Sequence, residues 1–220
     1  MGFNIAIDGP AGAGKSTIAR ALAEKLAYIY VDTGAMYRAM ALYLLRNGIS
    51  AEDGEKIHQI CDNIEISIAH EEGVQKIYLN GEDVSEQIRR EEVGNMASKS
   101  AANPYIREKL VDLQRQLAAR ENVVMDGRDI GTCVLPNADV KIYLTASVHV
   151  RALRRYNEYL SKGMEADLEQ IEKDIAKRDE QDMTRKISPL KRAEDAHLLD
   201  SSEMNIEEVL DAMTALCARK

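Results

Sequence analysis

Eight residues near the start of the chain, Gly9-Pro10-Ala11-Gly12-Ala13-Gly14-Lys15-Ser16, match G-x-x-x-x-G-K-[ST] at every fixed position. This pattern constrains the fold because it works only between a buried strand and a helix. Both flanks comply. Residues 3–7 are short, apolar and followed by Asp8-Gly9-Pro10, which reads as a strand running into a turn. Residues 16–26 place Ile18, Leu22 and Leu26 at a four-residue period, which predicts a helix with one apolar stripe. Glycines there let the backbone wrap closely with its N–H groups pointing inward, and the helix start adds partial positive charge. Such a loop cradles phosphate groups. Lys15 is placed to reach the outer phosphates of a nucleotide, and the Ser16 hydroxyl to ligate Mg²⁺.

The rest of the chain alternates in the same way. A second short strand is predicted over 28–31 and a helix over 34–45, the opening of a parallel α/β sheet. Between about residues 47 and 94 the pattern changes. Ile64, Ile66 and Ile68 alternate with polar residues, and Val74, Ile77 and Leu79 form a second run ending at the turn dipeptide Asn80-Gly81. Half-exposed strands fit an antiparallel patch, so this stretch reads as an inserted subdomain. The α/β pattern then resumes. Ile106, Leu110, Leu113 and Leu117 give a helix, 123–125 and 140–144 give strands, and 148–160 and 168–178 give charged helices. A last strand is expected at 197–200, and Ile206, Val209, Leu210, Met213, Leu216 and Cys217 line a closing helix.

Charge and composition exclude several classes. With 29 Lys and Arg against 37 Asp and Glu, the net charge is -8, which argues against a dedicated nucleic-acid binder. The absence of Trp and a single Phe leave no visible platform for stacking bases. No apolar run approaches a membrane span, which needs about 18 residues. The opening residues lack a basic segment ahead of a long apolar run, so a cytoplasmic location is expected. Cys61, Cys133 and Cys217 are far apart and unpaired in pattern, and are expected to be small hydrophobes.

A phosphate loop alone leaves the reaction open. Asp-x-x-Gly and Asn-Lys-x-Asp, the marks of a GTPase switch, are missing, and the apolar strand before Asp126 ends in Asp-Gly instead of the Asp-Glu of motor ATPases. The small size favours a kinase of a small acceptor. Asp32-Thr33-Gly34 is expected to start a helix with Thr33 as its cap, which sets Arg38 one turn in, where it either grips a phosphate or lies on the surface. Asp126-Gly127-Arg128-Asp129-Ile130-Gly131 follows an apolar strand. It either faces the ligand crevice at the strand ends or forms a local salt-bridged turn. Arg178, Asp182 and Arg185 would share one face of a continuing helix, and Arg151 and Arg155 are an i, i+4 pair. Both sets read as solvated faces or as a cationic lid.

Taken together, the blocks Ile7 to Thr17, Asp32-Thr33-Gly34-Ala35-Met36-Tyr37-Arg38, Gly81-Glu82-Asp83-Val84, Asp126 to Thr132 and Lys177 to Arg185 resemble the bacterial cytidylate (CMP) kinases. These are nucleoside monophosphate kinases with a phosphate loop, and the match is to the longer type with an inserted subdomain. The resemblance covers essentially the whole chain. It implies a phosphate-loop parallel sheet flanked by helices over 1–46 and 95–220, a monophosphate-binding subdomain over 47–94, and a short lid at about 151–185. It implies ATP as donor, CMP and dCMP as acceptors, and Mg²⁺ held by Ser16 and, through water, by Asp126. Residues 9–17 (Thr17 included), Arg151 and Arg155 would hold ATP. Thr33, Arg38, Ser98, Arg107, Arg128, Asp129, Arg178, Asp182 and Arg185 would hold CMP, with Lys15, Arg128 and Arg185 catalytic. A monomer that binds neither nucleic acid nor membrane is expected. The rival readings are a UMP or AMP kinase and, in another class, a nucleotide-dependent switch that needs no acceptor.

Overall fold

Strand β1 (Asn4–Asp8) is the middle of a parallel sheet, and its side chains explain why: Ile5, Ala6 and Ile7 are fully buried. It runs through the phosphate loop into α1 (Lys15–Leu26), which stops at Ala27 in the left-handed region. There follow β2 (Ile29–Asp32), α2 (Thr33–Arg46), α3 (Gly54–Cys61), β3 (Ile66–Glu71), β4 (Val74–Leu79) and β5 (Glu82–Asp83). Helices α4 (Glu91–Ser100) and α5 (Pro104–Arg120) precede β6 (Val123–Gly127) and β7 (Val140–Thr145). The chain closes with α6 (Val148–Ser161), α7 (Leu168–Thr184), β8 (His197–Asp200) and α8 (Ile206–Cys217). The computed structural model describes residues 2–71 and 74–218.

Packing divides the chain into two units. The first comprises Phe3–Ile29 and Asn122–Lys220. In it β6, β1, β7 and β8 lie side by side and parallel, with Ile5 opposite both Val124 and Val140, and Ile142 opposite His197. Ile29, the first residue of β2, donates its N–H to the Asn122 carbonyl at 2.9 Å, and the order of the whole sheet is β2-β6-β1-β7-β8. Helix α1 packs on β6 and on α8. Helices α6 and α7 pair around a small core of their own, Ala152, Ile171 and Ile175. Parallel strands bring their carboxyl ends to one edge, so the loops after β1, β6, β7 and β8 open on the same side.

The second unit, Tyr30–Glu121, holds the antiparallel sheet β3-β4-β5 and helices α2 to α5. Asn80 and Gly81, both at positive φ (49° and 82°), make the tight turn from β4 to β5. One apolar core joins these pieces, with Met36, Met40 and Leu44 of α2 against Ile57, Ile77, Ile106 and Leu110. The 47–94 stretch therefore shares its core with α2 and α5. No described helix is long and apolar enough to cross a membrane. Cys61, Cys133 and Cys217 are in no disulfide among the described residues, the first buried and the others half-buried.

Two local expectations are corrected. The cap of α2 is Asp32, not Thr33: Asp32 stays extended and its Oδ1 accepts the Ala35 N–H at 2.9 Å, while Thr33 is already helical and buried. Helix α7 ends at Thr184, so Arg185 leaves the face that Arg178 and Asp182 share. Its ψ of 141° turns the chain away from the helix.

Candidate active site

The phosphate loop begins where β1 runs out. Gly9 has φ 152°, and a Cβ there would sit 1.9 Å from the Leu144 carbonyl oxygen, so no side chain fits. Gly12 and Gly14 also have positive φ (76° and 87°), which keeps the loop curled before α1. Pro10, Ala11 and Ala13 are buried beneath this curl, and Thr17 is exposed in the first turn of α1.

Lys15 is buried, and its Nζ donates to the Pro10 carbonyl at 2.7 Å. Burial, and then the nearby Arg128, lower its pKa to about 7, while Asp126, Asp8 and Asp182 pull the other way. Ser16 Oγ lies 3.0 Å from Asp126 Oδ2. Those are two hard oxygen donors of the kind that hold Mg²⁺ together with nucleotide phosphates. The donor chemistry therefore fits the ion, with Ser16 and Asp126 as the groups to hold it.

The block after β6 meets α7. Arg128 Nε donates to Asp182 Oδ2 at 2.8 Å, and Asp182 is buried on α7. Arg178 stands one turn earlier, half-buried. Arg185 donates from Nε to the Ser188 carbonyl at 2.6 Å and reaches Asp129 Oδ1 from Nη2 at 3.4 Å. Arg151 is 3% exposed and donates to the carbonyls of Ala146 and Ala11, each at 2.9 Å, the second within the phosphate loop. Its other contacts are a two-pronged pair with Asp179 at 3.1 and 2.6 Å. Arg155 is half-buried, and no hydrogen bond or ion pair links it to another described residue. The structure thus links Lys15, Ser16, Asp126, Arg128, Asp129, Asp182 and Arg185 at one edge of the sheet.

The remaining expected residues lie in the Tyr30–Glu121 unit. Arg38 pairs with Asp32 Oδ2 at 3.0 Å, and Gly34 makes room: a Cβ there would be 3.2 Å from Arg38 Nη1 and 3.1 Å from Asp32 Oδ1. Arg107, buried at the head of α5, donates to the Ala101 carbonyl at 3.3 Å, and its guanidinium lies 5.8 Å from the Tyr37 ring centre. Ser98 is half-buried on α4.

A sequence profile described as Cytidylate kinase matches residues 5–219. The chain belongs to the cytidylate kinase family. Among its relatives, the cytidylate kinase of Caldicellulosiruptor bescii is 52% identical over 97% of this chain and 95% of its own length. That of Carboxydothermus hydrogenoformans is 50% identical over 99% and 98%. Solved structures share the fold at much lower identity. A shikimate kinase from Bacteroides thetaiotaomicron superposes with a TM-score of 0.50 at 16% identity, over 98% of each chain. An uncharacterized protein from Eubacterium ventriosum gives 0.57 at 11%, over 99% of each.

In this member of the cytidylate kinase family, three site features escaped the sequence reading. Asp8 appeared there only as part of a turn and within a resembling block, and Asp179 only within another such block. Arg154 went unread; its Nη2 donates to the Ser201 carbonyl at 2.8 Å, and its Nη1 is 4.0 Å from where a Cβ on Gly14 would lie. The signal for all three was adjacency to residues that were read: Gly9, Arg178 and Arg155.

Proposed function

We propose that this chain transfers the γ-phosphoryl group of ATP to a phosphate oxygen of CMP, and of dCMP, giving ADP and the pyrimidine diphosphate. The observation that carries the reading is the curled loop at residues 9–16 of a chain in the cytidylate kinase family, with Lys15 buried at the head of α1 and Arg151 donating to the loop's Ala11 carbonyl at 2.9 Å. Cations gathered in a partly dry site are stabilised by anionic ligands, and a nucleotide triphosphate with an acceptor phosphate supplies them.

Transfer would be in line. The bond between the γ-phosphorus and its bridging oxygen breaks as a bond to the acceptor oxygen forms, and the electron pair leaves with ADP. No general base is required, because the acceptor oxygen is already anionic at neutral pH. Residues 9–17 would hold the donor phosphates through their N–H groups and Lys15, with Arg151 and Arg155 on the donor side. Mg²⁺, held by Ser16 and through water by Asp126, would screen charge on the donor phosphates. Arg38 and Arg128 would orient the acceptor phosphate, and Arg185 would stabilise charge on the group in flight. Thr33, Ser98, Arg107 and Asp129 would contact the nucleoside, with Arg178 and Asp182 toward the ribose. Helices α6 and α7, with their separate small core, would form the lid that excludes water. We further infer a monomer at work in the cytoplasm, without nucleic-acid or membrane partners.

Steady-state rates with Mg-ATP and each of CMP, dCMP, UMP and AMP test this. CMP is expected to have the highest kcat/KM. A higher value for UMP or AMP would reassign the acceptor, and hydrolysis indifferent to any acceptor would overturn the kinase reading.

A further inference from the structure

Asp8 is a carboxylate in a place where a carboxylate is costly. It ends the central strand, is 4% exposed, and stands immediately before the phosphate loop. Burial raises its pKa from 3.8 to about 6, so its partners do not fully offset the loss of water. A strand end can be finished with far cheaper residues, and a retained local cost of this kind points to a use.

Its partners indicate the use. Asp8 Oδ1 accepts the Ile130 N–H at 2.7 Å, and Oδ2 accepts the Gly131 N–H at 2.8 Å. These two amides follow directly on Arg128 and Asp129 and open the helical turn Ile130–Val134. The contact spans 122 and 123 residues of sequence, so local chain geometry does not dictate it. Gly131 fits tightly under the carboxylate: a Cβ there would stand 3.4 Å from Asp8 Oδ2 and 3.1 Å from Lys141 Cδ. A lone strand-to-strand pairing would leave the backbone after Gly127 free to choose its course, since Asp8↔Gly127 is the last pair in register between β1 and β6.

We propose that Asp8 is a positioning residue: by accepting both N–H groups it fixes the backbone that carries Arg128 and Asp129, and so sets the acceptor-side machinery from the root of the phosphate loop. The proposal rests on the CMP-kinase reading for the identity of the acceptor, but its geometry does not. Asp8→Asn keeps the shape and replaces one acceptor oxygen with an N–H₂ that faces an N–H donor. A misplacement of the backbone by an ångström is expected to raise KM for CMP about tenfold to a hundredfold. KM for ATP should rise by a clearly smaller factor, because the loop glycines keep their backbone and the donor side feels only the loss of the Asp8 charge that supports charged Lys15.

Two measurements decide. Amide exchange in the nucleotide-free wild type should show Ile130 and Gly131 strongly protected; fast exchange there would overturn the proposal whatever the variant does, including failure to fold. In Asp8→Asn, equal rises in KM for both nucleotides, or no rise in either, would make Asp8 a structural end-cap and sink the positioning role. Should the wild type prefer another monophosphate, the function reading falls, and Asp8 is judged by the same exchange test and the same split, using that acceptor.

Discussion

The two units treat charge in opposite ways. In the unit that carries the phosphate loop, four of the chemistry-bearing cations are buried or half-buried and already engaged. Lys15 is tied to the Pro10 carbonyl, Arg151 to Ala11 and Asp179, Arg128 to Asp182, and Arg185 to Ser188. In the Tyr30–Glu121 unit an uninterrupted apolar core does the packing, and its ion pairs sit toward the surface. Arg38–Asp32 is half-exposed and Arg46–Glu82 more so. The difference teaches where substitutions act. Buried cations are held by carbonyls and carboxylates that phosphate oxygens would have to outcompete, so removing a cation leaves stranded partners as well as a lost ligand contact. On the other unit, removing a charge from a surface ion pair leaves the scaffold in place, with buried Arg107 at the head of α5 the exception.

Four substitutions would break or sharpen this contrast. Lys15→Met should fold and lose at least about a hundredfold in kcat, the size typical of one donor aimed at transition-state charge. A loss of only about threefold in a single-turnover assay would remove the loop from the catalytic machinery. Asp129→Ala comes next. A carboxylate suits the amino group of cytosine and repels the corresponding oxygen of uracil, a preference of about 1–3 kcal/mol, or roughly five- to 150-fold. The ratio of kcat/KM for CMP over UMP should therefore flatten by that factor; equal losses on both substrates would assign Asp129 to phosphate ordering. Arg38→Met should act mainly through KM for CMP, by about tenfold, the lower end of the roughly 1.5–3 kcal/mol for hydrogen bonds to charged groups, because the site is half-exposed. An unchanged KM would leave Arg38 a surface partner of Asp32.

The smallest effect belongs to Arg46→Ala. Arg46 grips Glu82 with two bonds of 2.7 Å, and the pair holds the Glu82 carboxyl down to about 2. A depressed carboxylate contributes stability above its unfolded pKa, and that contribution is lost as pH falls toward about 2. Both partners are open to water, however, so the melting temperature at neutral pH should barely move. A large drop would show that the surface of this unit is not as forgiving as its core suggests.

Much of this architecture was legible because its signals are local. The strand–loop–helix opening, the final strand and the closing helix follow from runs of apolar residues at the right period. Helices α3 and α4 left weak traces: each buries few apolar residues, Ile57 and Cys61 in one, Val93 and Ala97 in the other. Strand β5 is only Glu82-Asp83, both exposed, and carries no apolar signal at all. At the start of α2 two good caps compete, and only the backbone decides between Asp32 and Thr33. The contacts that make the site are long-range, such as Arg128 with Asp182 or Arg151 with Ala11, and no periodicity reports on residues 54 or 140 positions apart.

The close approach at Gly9 bears on how tolerance to mutation is to be read in this protein. A survey of every substitution, scored by cell growth, would mark position 9 as intolerant as sharply as position 15, yet the reasons differ. At position 15, on the function proposed, a charge would be lost from the phosphates. At position 9 even a methyl group would collide with the Leu144 carbonyl at 1.9 Å, so the barrier comes from β7, whether or not any nucleotide ever arrives. Abundance measured alongside growth should separate the two, with position 9 failing in both and position 15 in growth alone.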